Sequence, residues 1–189
     1  MIMKGKKALR GMTLIEMIIA IVLMGIAMVM FSTALIPQIK DASTSHYQSR
    51  AIALGHSMMS QILARNFDHY YDDNGGMLRC GENGADACSP PGRDDKETTP
   101  STFNDVDDYI GCWYTENTQD SCPSGSEEKY QLSDVVGNSA DNSYINFRVE
   151  VAVKTTELEG SVPKMKQVKL DIFAGPSLAI SLVGYRGNY

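Results

Sequence analysis

The sequence predicts an α+β protein, a long N-terminal helix laid over an antiparallel sheet. Three observations carry this reading. Residues 12–36 are almost wholly apolar. Tyr47, Ala51, Leu54, Met58 and Ile62 then recur at steps of three and four, with Met59 and Leu63 beside them, as one stripe of an amphipathic helix requires. Beyond residue 143 the pattern changes to alternation, as in Phe147, Val149, Val151 and Val153. A helical stretch followed by a run of strands is the pattern of an α+β domain.

The first eleven residues carry Lys4, Lys6, Lys7 and Arg10 and no acid. The whole chain has a net charge of −6; without those four cations, 13 basic residues face 23 acidic ones. An acidic body argues against nucleic acid as a partner, because such binding needs a basic face to displace counterions.

The apolar run from Met12 to Ile36 holds 25 residues. At about 1.5 Å per residue it spans roughly 37 Å, enough to cross a hydrocarbon layer of about 30 Å. It exceeds the roughly 7–15 apolar residues of a cleaved signal peptide, although Ser32-Thr33-Ala34 imitates a signal peptidase site. Glu16 stands inside this run. A carboxylate there costs about 2.5–3.5 kcal/mol near a helix centre and less near the interface. It either reaches headgroups or pairs with a cation when helices pack. Gly25 weakens the helix, and Pro37 is expected to break or kink it, since its ring removes a backbone donor. The amphipathic half then runs over residues 37–65.

Residues 66–108 read as a long polar connection. Asp72-Asp73-Asn74-Gly75-Gly76 is turn chemistry. Asp68, Asp72 and Asp73, with Asn74, are candidate calcium ligands, but their spacing misses the EF-hand pattern, so solvated turn residues are the default. From Gly81 to Asp108 the only non-cysteine apolar residues are Ala85, Ala87, Phe103 and Val106. Such a segment is not expected to bury itself in a core.

Four cysteines, Cys80, Cys88, Cys112 and Cys122, all lie beyond the apolar run. An even count in an exported domain suggests disulfides, with three possible pairings. The short loops favour Cys80–Cys88 and Cys112–Cys122. The competing zinc reading fits these spacings poorly.

Residues 109–189 supply the sheet. Tyr109–Thr115, Ser143–Thr155, Lys164–Ala174 and Leu178–Tyr185 read as strands. Val168, Leu170 and Ile172 oppose Lys169 and Asp171 across the third of these. Glu159-Gly160 with Pro163 marks a hairpin. The tail Tyr185-Arg186-Gly187-Asn188-Tyr189 is short, polar and aromatic. There is no P-loop, H-E-x-x-H or G-x-S-x-G pattern, so no enzyme is indicated and no cofactor is expected. His46, His56 and His69 are scattered, as surface or capping residues would be.

The junction Lys6-Lys7-Ala8-Leu9-Arg10-Gly11-Met12-Thr13-Leu14-Ile15-Glu16 resembles the type IV prepilin family. That pattern is a basic leader ending in Gly, a hydrophobic residue, Thr-Leu-Ile-Glu, and an unbroken apolar helix. The resemblance implies a pilin-like fold and cleavage after Gly11 by a prepilin peptidase. It implies N-methylation of Met12, where the family usually has Phe. It also implies a place for Glu16 at the fifth mature position. Residues 1–11 would be the leader, and residues 12–36 a single-pass anchor in the inner membrane that later enters a filament core. The implied partners are other pilin subunits and the inner-membrane assembly platform. Three functional classes stay open at this level: a pilus subunit, a pseudopilin of a type II secretion system, and a membrane-anchored extracytoplasmic binding domain.

Overall fold

A computed structural model describes residues 13–70, 78–93, 97–126, 128–137, 143–160, 162–175 and 177–188, the side chains of 40–43 excepted. Two compact units emerge, residues 1–43 and 44–189. The leader, with Gly11 and Met12, lies outside the described residues, as do Asp72 and Asp73.

Helix α1 covers Leu14–Leu63, 50 residues, with Pro37 inside it. The expected break at Pro37 is therefore corrected: the helix runs through. Proline removes one N–H, so only the bond to the Thr33 carbonyl is lost. The turns on either side of it remain helical. Gly25 is likewise helical, and a Cβ there would meet nothing within 4 Å.

In the second unit the stripe of α1 packs on one face of a five-stranded sheet. The strands are β1 (Gly111–Tyr114), β2 (Lys129–Gln131), β3 (Phe147–Glu159), β4 (Val162–Ala174) and β5 (Ile180–Gly187), in the order β2-β1-β3-β4-β5. The short helix α2 (Ser133–Val136) follows β2. Strands β1/β3, β3/β4 and β4/β5 pair antiparallel. The edge strand β2 departs from the expected pattern by pairing parallel to β1, Trp113 opposite Tyr130. It went unread because three residues are too few for a period to show. The β3–β4 hairpin turns at Gly160, whose φ of +68° suits a residue without Cβ.

Ala51, Leu54, Met58 and Ile62 of α1 meet Val149, Val151, Val168, Leu170 and Ile172 of the sheet in one buried core. Helix and sheet come close because two glycines face the contact. A Cβ on Gly55 would lie 2.5 Å from Leu182 Cδ1 and 2.8 Å from Ile172 Cδ1. A Cβ on Gly184 would lie 2.8 Å from Met59 Sδ. At the β1 end, Phe103, Tyr109, Trp113 and Tyr130 form an aromatic cluster. Trp113 stacks on Tyr130 at 4.6 Å between centroids, and its Nε1–H donates to the Tyr109 carbonyl at 3.0 Å.

The polar connection is a second correction. Phe67, Phe103 and Val106 are buried, so this segment does enter the core. An isolated parallel bridge joins Asn66 to Asp105, and a 3-10 turn covers Asp107–Tyr109. Composition misled because acids of this segment, Asp105, Asp107 and Asp108 among them, are themselves buried.

Candidate functional site

Two places concentrate unusual chemistry. The first is the N-terminal end of α1. Thr13 precedes the helix, and its carbonyl accepts the N–H groups of Glu16 at 3.1 Å and Met17 at 3.3 Å. Glu16 thus sits in the first turn, where a negative charge is favoured by the helix dipole. From Leu14 to Ile39 every described side chain is exposed, Leu14 at 79% and Phe31 at 65% among them. The best 18-residue window has a mean hydropathy of 2.7, with none of it buried. Thr33 hides its hydroxyl by donating to the Val29 and Met30 carbonyls. So large an apolar surface calls for lipid or other helices around it.

The second is a buried charge centre in the folded domain. Lys166 follows the inward parity of β4, two residues before Val168, and is 4% exposed. Its Nζ donates to the Phe67 carbonyl at 2.6 Å and to Asp68 Oδ1 at 3.4 Å. It also pairs directly with Asp107 Oδ2 and lies 4.5 Å from the centre of the Phe67 ring. Asp68 further accepts the Ser89 N–H at 3.1 Å and the Ser89 hydroxyl at 2.9 Å. One oxygen each of Asp68, Asp105 and Asp107 lies within 4.8 Å of the others. Asp68, expected as a solvated turn residue, is 1% exposed, which corrects that reading. At this spot the Lys166 Nζ lies among these acids.

Asp105 is the strained member. Its Oδ1 accepts the Asp107 N–H at 2.7 Å, while Oδ2 has no hydrogen-bond partner among the described residues. Burial, and then the neighbouring Asp108 and Asp107, push its carboxyl up to about 8. Burial also raises Asp107, against the pull of Lys166. Asp108 turns Oδ2 back to the N–H groups of Asn104 and Asp105 at 2.8 and 3.0 Å. Nearby, His69 Nδ1 lies 3.5 Å from Glu97 Oε1. His46 and His56 are exposed on α1.

Sequence reasoning missed this centre, although one signal was present. Lys166, Val168, Leu170 and Ile172 share a parity, so a lysine had to point where the core points.

Cys80 is bonded to Cys88, and Cys112 to Cys122. The first loop is anchored by Asn188, whose Nδ2 donates to Pro163 O at 2.8 Å and reaches Cys80 O at 3.5 Å. The tail therefore acts as a clasp between that loop and β4.

The long N-terminal helix, the largely antiparallel sheet and the two disulfides make a type IV pilin-like α+β fold. Residues 6–32 match the family described as the prokaryotic N-terminal methylation motif. This motif supports a pilin or a pseudopilin, with prepilin peptidase processing and assembly with other pilins implied. No curated protein matches the chain. No solved structure matches it either.

Proposed function

We propose that the chain is a type IV pilin subunit that is cut after Gly11, methylated on Met12, held in the inner membrane by residues 12–36, and then drawn into an extracellular pilus. The supporting observation is the exposed apolar helix with a single carboxylate, Glu16, in its first turn, directly after a basic leader ending in glycine. Cleavage would create an ammonium at Met12. In a filament both that charge and a neighbour's Glu16 would be desolvated, and leaving either unpaired is costly. A buried pair of this kind adds little net stability but fixes register. Glu16 thus sets the stagger of incoming subunits.

Within this class we favour a minor pilin. The segments Leu35-Ile36-Pro37-Gln38, Tyr71 to Cys80 with its Gly-Gly, and Tyr185 to Tyr189 are similar to the minor pilin D of mannose-sensitive haemagglutinin (MSHA) pili. A low-copy subunit that starts or caps a surface-attachment pilus follows from that similarity. The runner-up is a type II secretion pseudopilin, whose N-terminus would look the same. A tethered binding domain that never assembles is the third reading.

Mass spectrometry of the N-terminal peptide from membranes and sheared filaments tests the class. A peptide starting at methylated Met12 is expected, whereas an intact Met1 would leave only a tethered domain. Glu16→Ala is expected to be cleaved normally yet to fall about tenfold or more in filaments, a change of about 1.4 kcal/mol or more in incorporation. Wild-type incorporation of this variant would refute the pairing role. Recovery of tagged protein in pili, rather than in periplasmic fractions alone, separates pilin from pseudopilin.

A further inference from the structure

We infer that Lys166 and Asp107 form an intramolecular isopeptide bond, a covalent cross-link between β4 and the 3-10 turn Asp107–Tyr109, with Asp105 carrying the proton. Nothing in the pilin reading requires this, and it stands on the folded domain alone.

The reactants are already in place. Nζ and a carboxylate oxygen of Asp107 are in direct contact, and both side chains are almost wholly shielded, Lys166 at 6% and Asp107 at 2%. Oriented contact of this kind replaces a bimolecular encounter with an intramolecular one. The Phe67 ring closes over the nitrogen. The reacting form of the pair is the amine with the carboxylic acid, reached by moving one proton from Nζ to Asp107 across their contact. The third requirement is a group that moves protons during the addition and the collapse. Asp105 belongs to the same triad of acids, and its Oδ2 is buried with no hydrogen-bond partner among the described residues. Burial keeps this carboxyl protonated up to about 8, so it holds a proton at neutral pH.

The step balances without any co-reactant. In the neutral pair, the Nζ lone pair adds to Asp107 Cγ, a C–N bond forms, and the carbonyl electron pair moves onto oxygen. Collapse of the tetrahedral adduct breaks the C–OH bond. The hydroxyl leaves as water after taking one proton from the nitrogen, relayed through Asp105. One ammonium and one carboxylate become one amide and one water.

The product would suit the site better than the reactants do. The remaining amide N–H can donate to the Phe67 carbonyl, which Nζ already reaches at 2.6 Å. Protonated Asp105 can donate from Oδ2 to the new amide oxygen, giving its orphaned atom a partner. Asp68 keeps its Ser89 and Tyr70 donors after the ammonium is gone. Both disulfides span short loops, 8 and 10 residues apart in sequence. The isopeptide would close a loop of 59, tying the polar connection to the central sheet.

The test is peptide mass spectrometry on the full-length protein purified from cells, reduced, alkylated and digested with trypsin. Acylated Lys166 is not cleaved, so peptide 97–129 is expected joined to peptide 165–169, lighter than the two together by one water. Fragmentation should place the junction on Asp107 and Lys166. On a denaturing gel the chain should run faster than Lys166→Arg, because its loop stays closed after boiling. Asp105→Asn should retain the ion pair but lose the joined peptide at least tenfold. Free peptide 97–129 together with free peptide 165–166 as the dominant species in wild type would overturn the proposal, and this readout does not depend on any variant folding. A joined peptide persisting at wild-type level in Asp105→Asn would remove Asp105 from the step.

Discussion

The buried carboxyl of Asp105 should make this protein lose stability as pH rises, and Asp105→Asn should abolish that loss. In an unfolded chain Asp105 ionises near 3.8; in the folded domain it holds its proton up to about 8. Below the lower value both states are protonated and the group has no effect. Between the two, the unfolded chain releases a proton that the folded chain keeps, so unfolding gains free energy with each pH unit. The penalty is complete once pH passes the folded value. Four units at about 1.36 kcal/mol each set a ceiling of about 5–6 kcal/mol. Relaxation and an effective interior dielectric near 20 reduce this to about 3 kcal/mol. For a chain of this length each kcal/mol moves the midpoint by about 2–4 °C, so a fall of roughly 6–12 °C between about pH 4 and pH 8 is expected. The charged groups around Asp105 are Asp68, Asp107, Asp108 and Lys166. Because burial is the largest cause, the sign is the same whether Lys166 is an ammonium or an amide. The assay is thermal unfolding of the detergent-solubilised chain by circular dichroism, wild type beside Asp105→Asn, at several pH values in that window. Asparagine keeps the oxygen that accepts the Asp107 N–H but cannot ionise. Its absolute midpoint also reflects other contacts, so the slope is the quantity compared. Parallel wild-type and variant slopes would refute the reasoning.

Other expected outcomes are simpler. Gly55→Val forces a branched side chain into the 2.5 Å gap before Leu182 and the 2.8 Å gap before fully buried Ile172. Overpacking should cost about 2 kcal/mol, seen as a lower urea midpoint with unchanged slope. Replacing Cys80 and Cys88 by Ser frees a loop closed over 8 residues and should cost about 2.5 kcal/mol in the chain-entropy account. That is checked by denaturant titration without reductant. Asn188→Ala removes the donor to Pro163 O and should cost about 1 kcal/mol, with faster amide exchange concentrated in the Cys80–Cys88 loop.

Much of this protein was legible in its sequence because periodicity reports what a residue faces. The apolar run, the stripe from Tyr47 to Ile62 and the alternation in β3 and β4 each repeat often enough to define an element. The N-terminal motif over residues 6–32 was more direct still, since it lies in one continuous stretch and needs no tertiary contact to be recognised. What failed were inferences from composition and from single residues. A break at Pro37 fails because one missing hydrogen bond does not end a 50-residue helix. The acidic stretch around residue 105 was read as solvated because it holds few apolar residues, yet Phe103 and Val106 were enough to bring it into the core.

Sequence alone determined the membrane-length helix, its one carboxylate and the alternation of β3 and β4, because each is written in neighbouring residues. Only the tertiary structure decided where the charges of the folded domain end up. Asp68, Asp107 and Lys166 are 98 residues apart at the extremes, and their meeting depends on how β4 lies beside the chain leaving α1. A carboxylate in water and a carboxylate against a buried ammonium are spelled with the same letter. Their difference is desolvation, and desolvation exists only once the chain has closed around them.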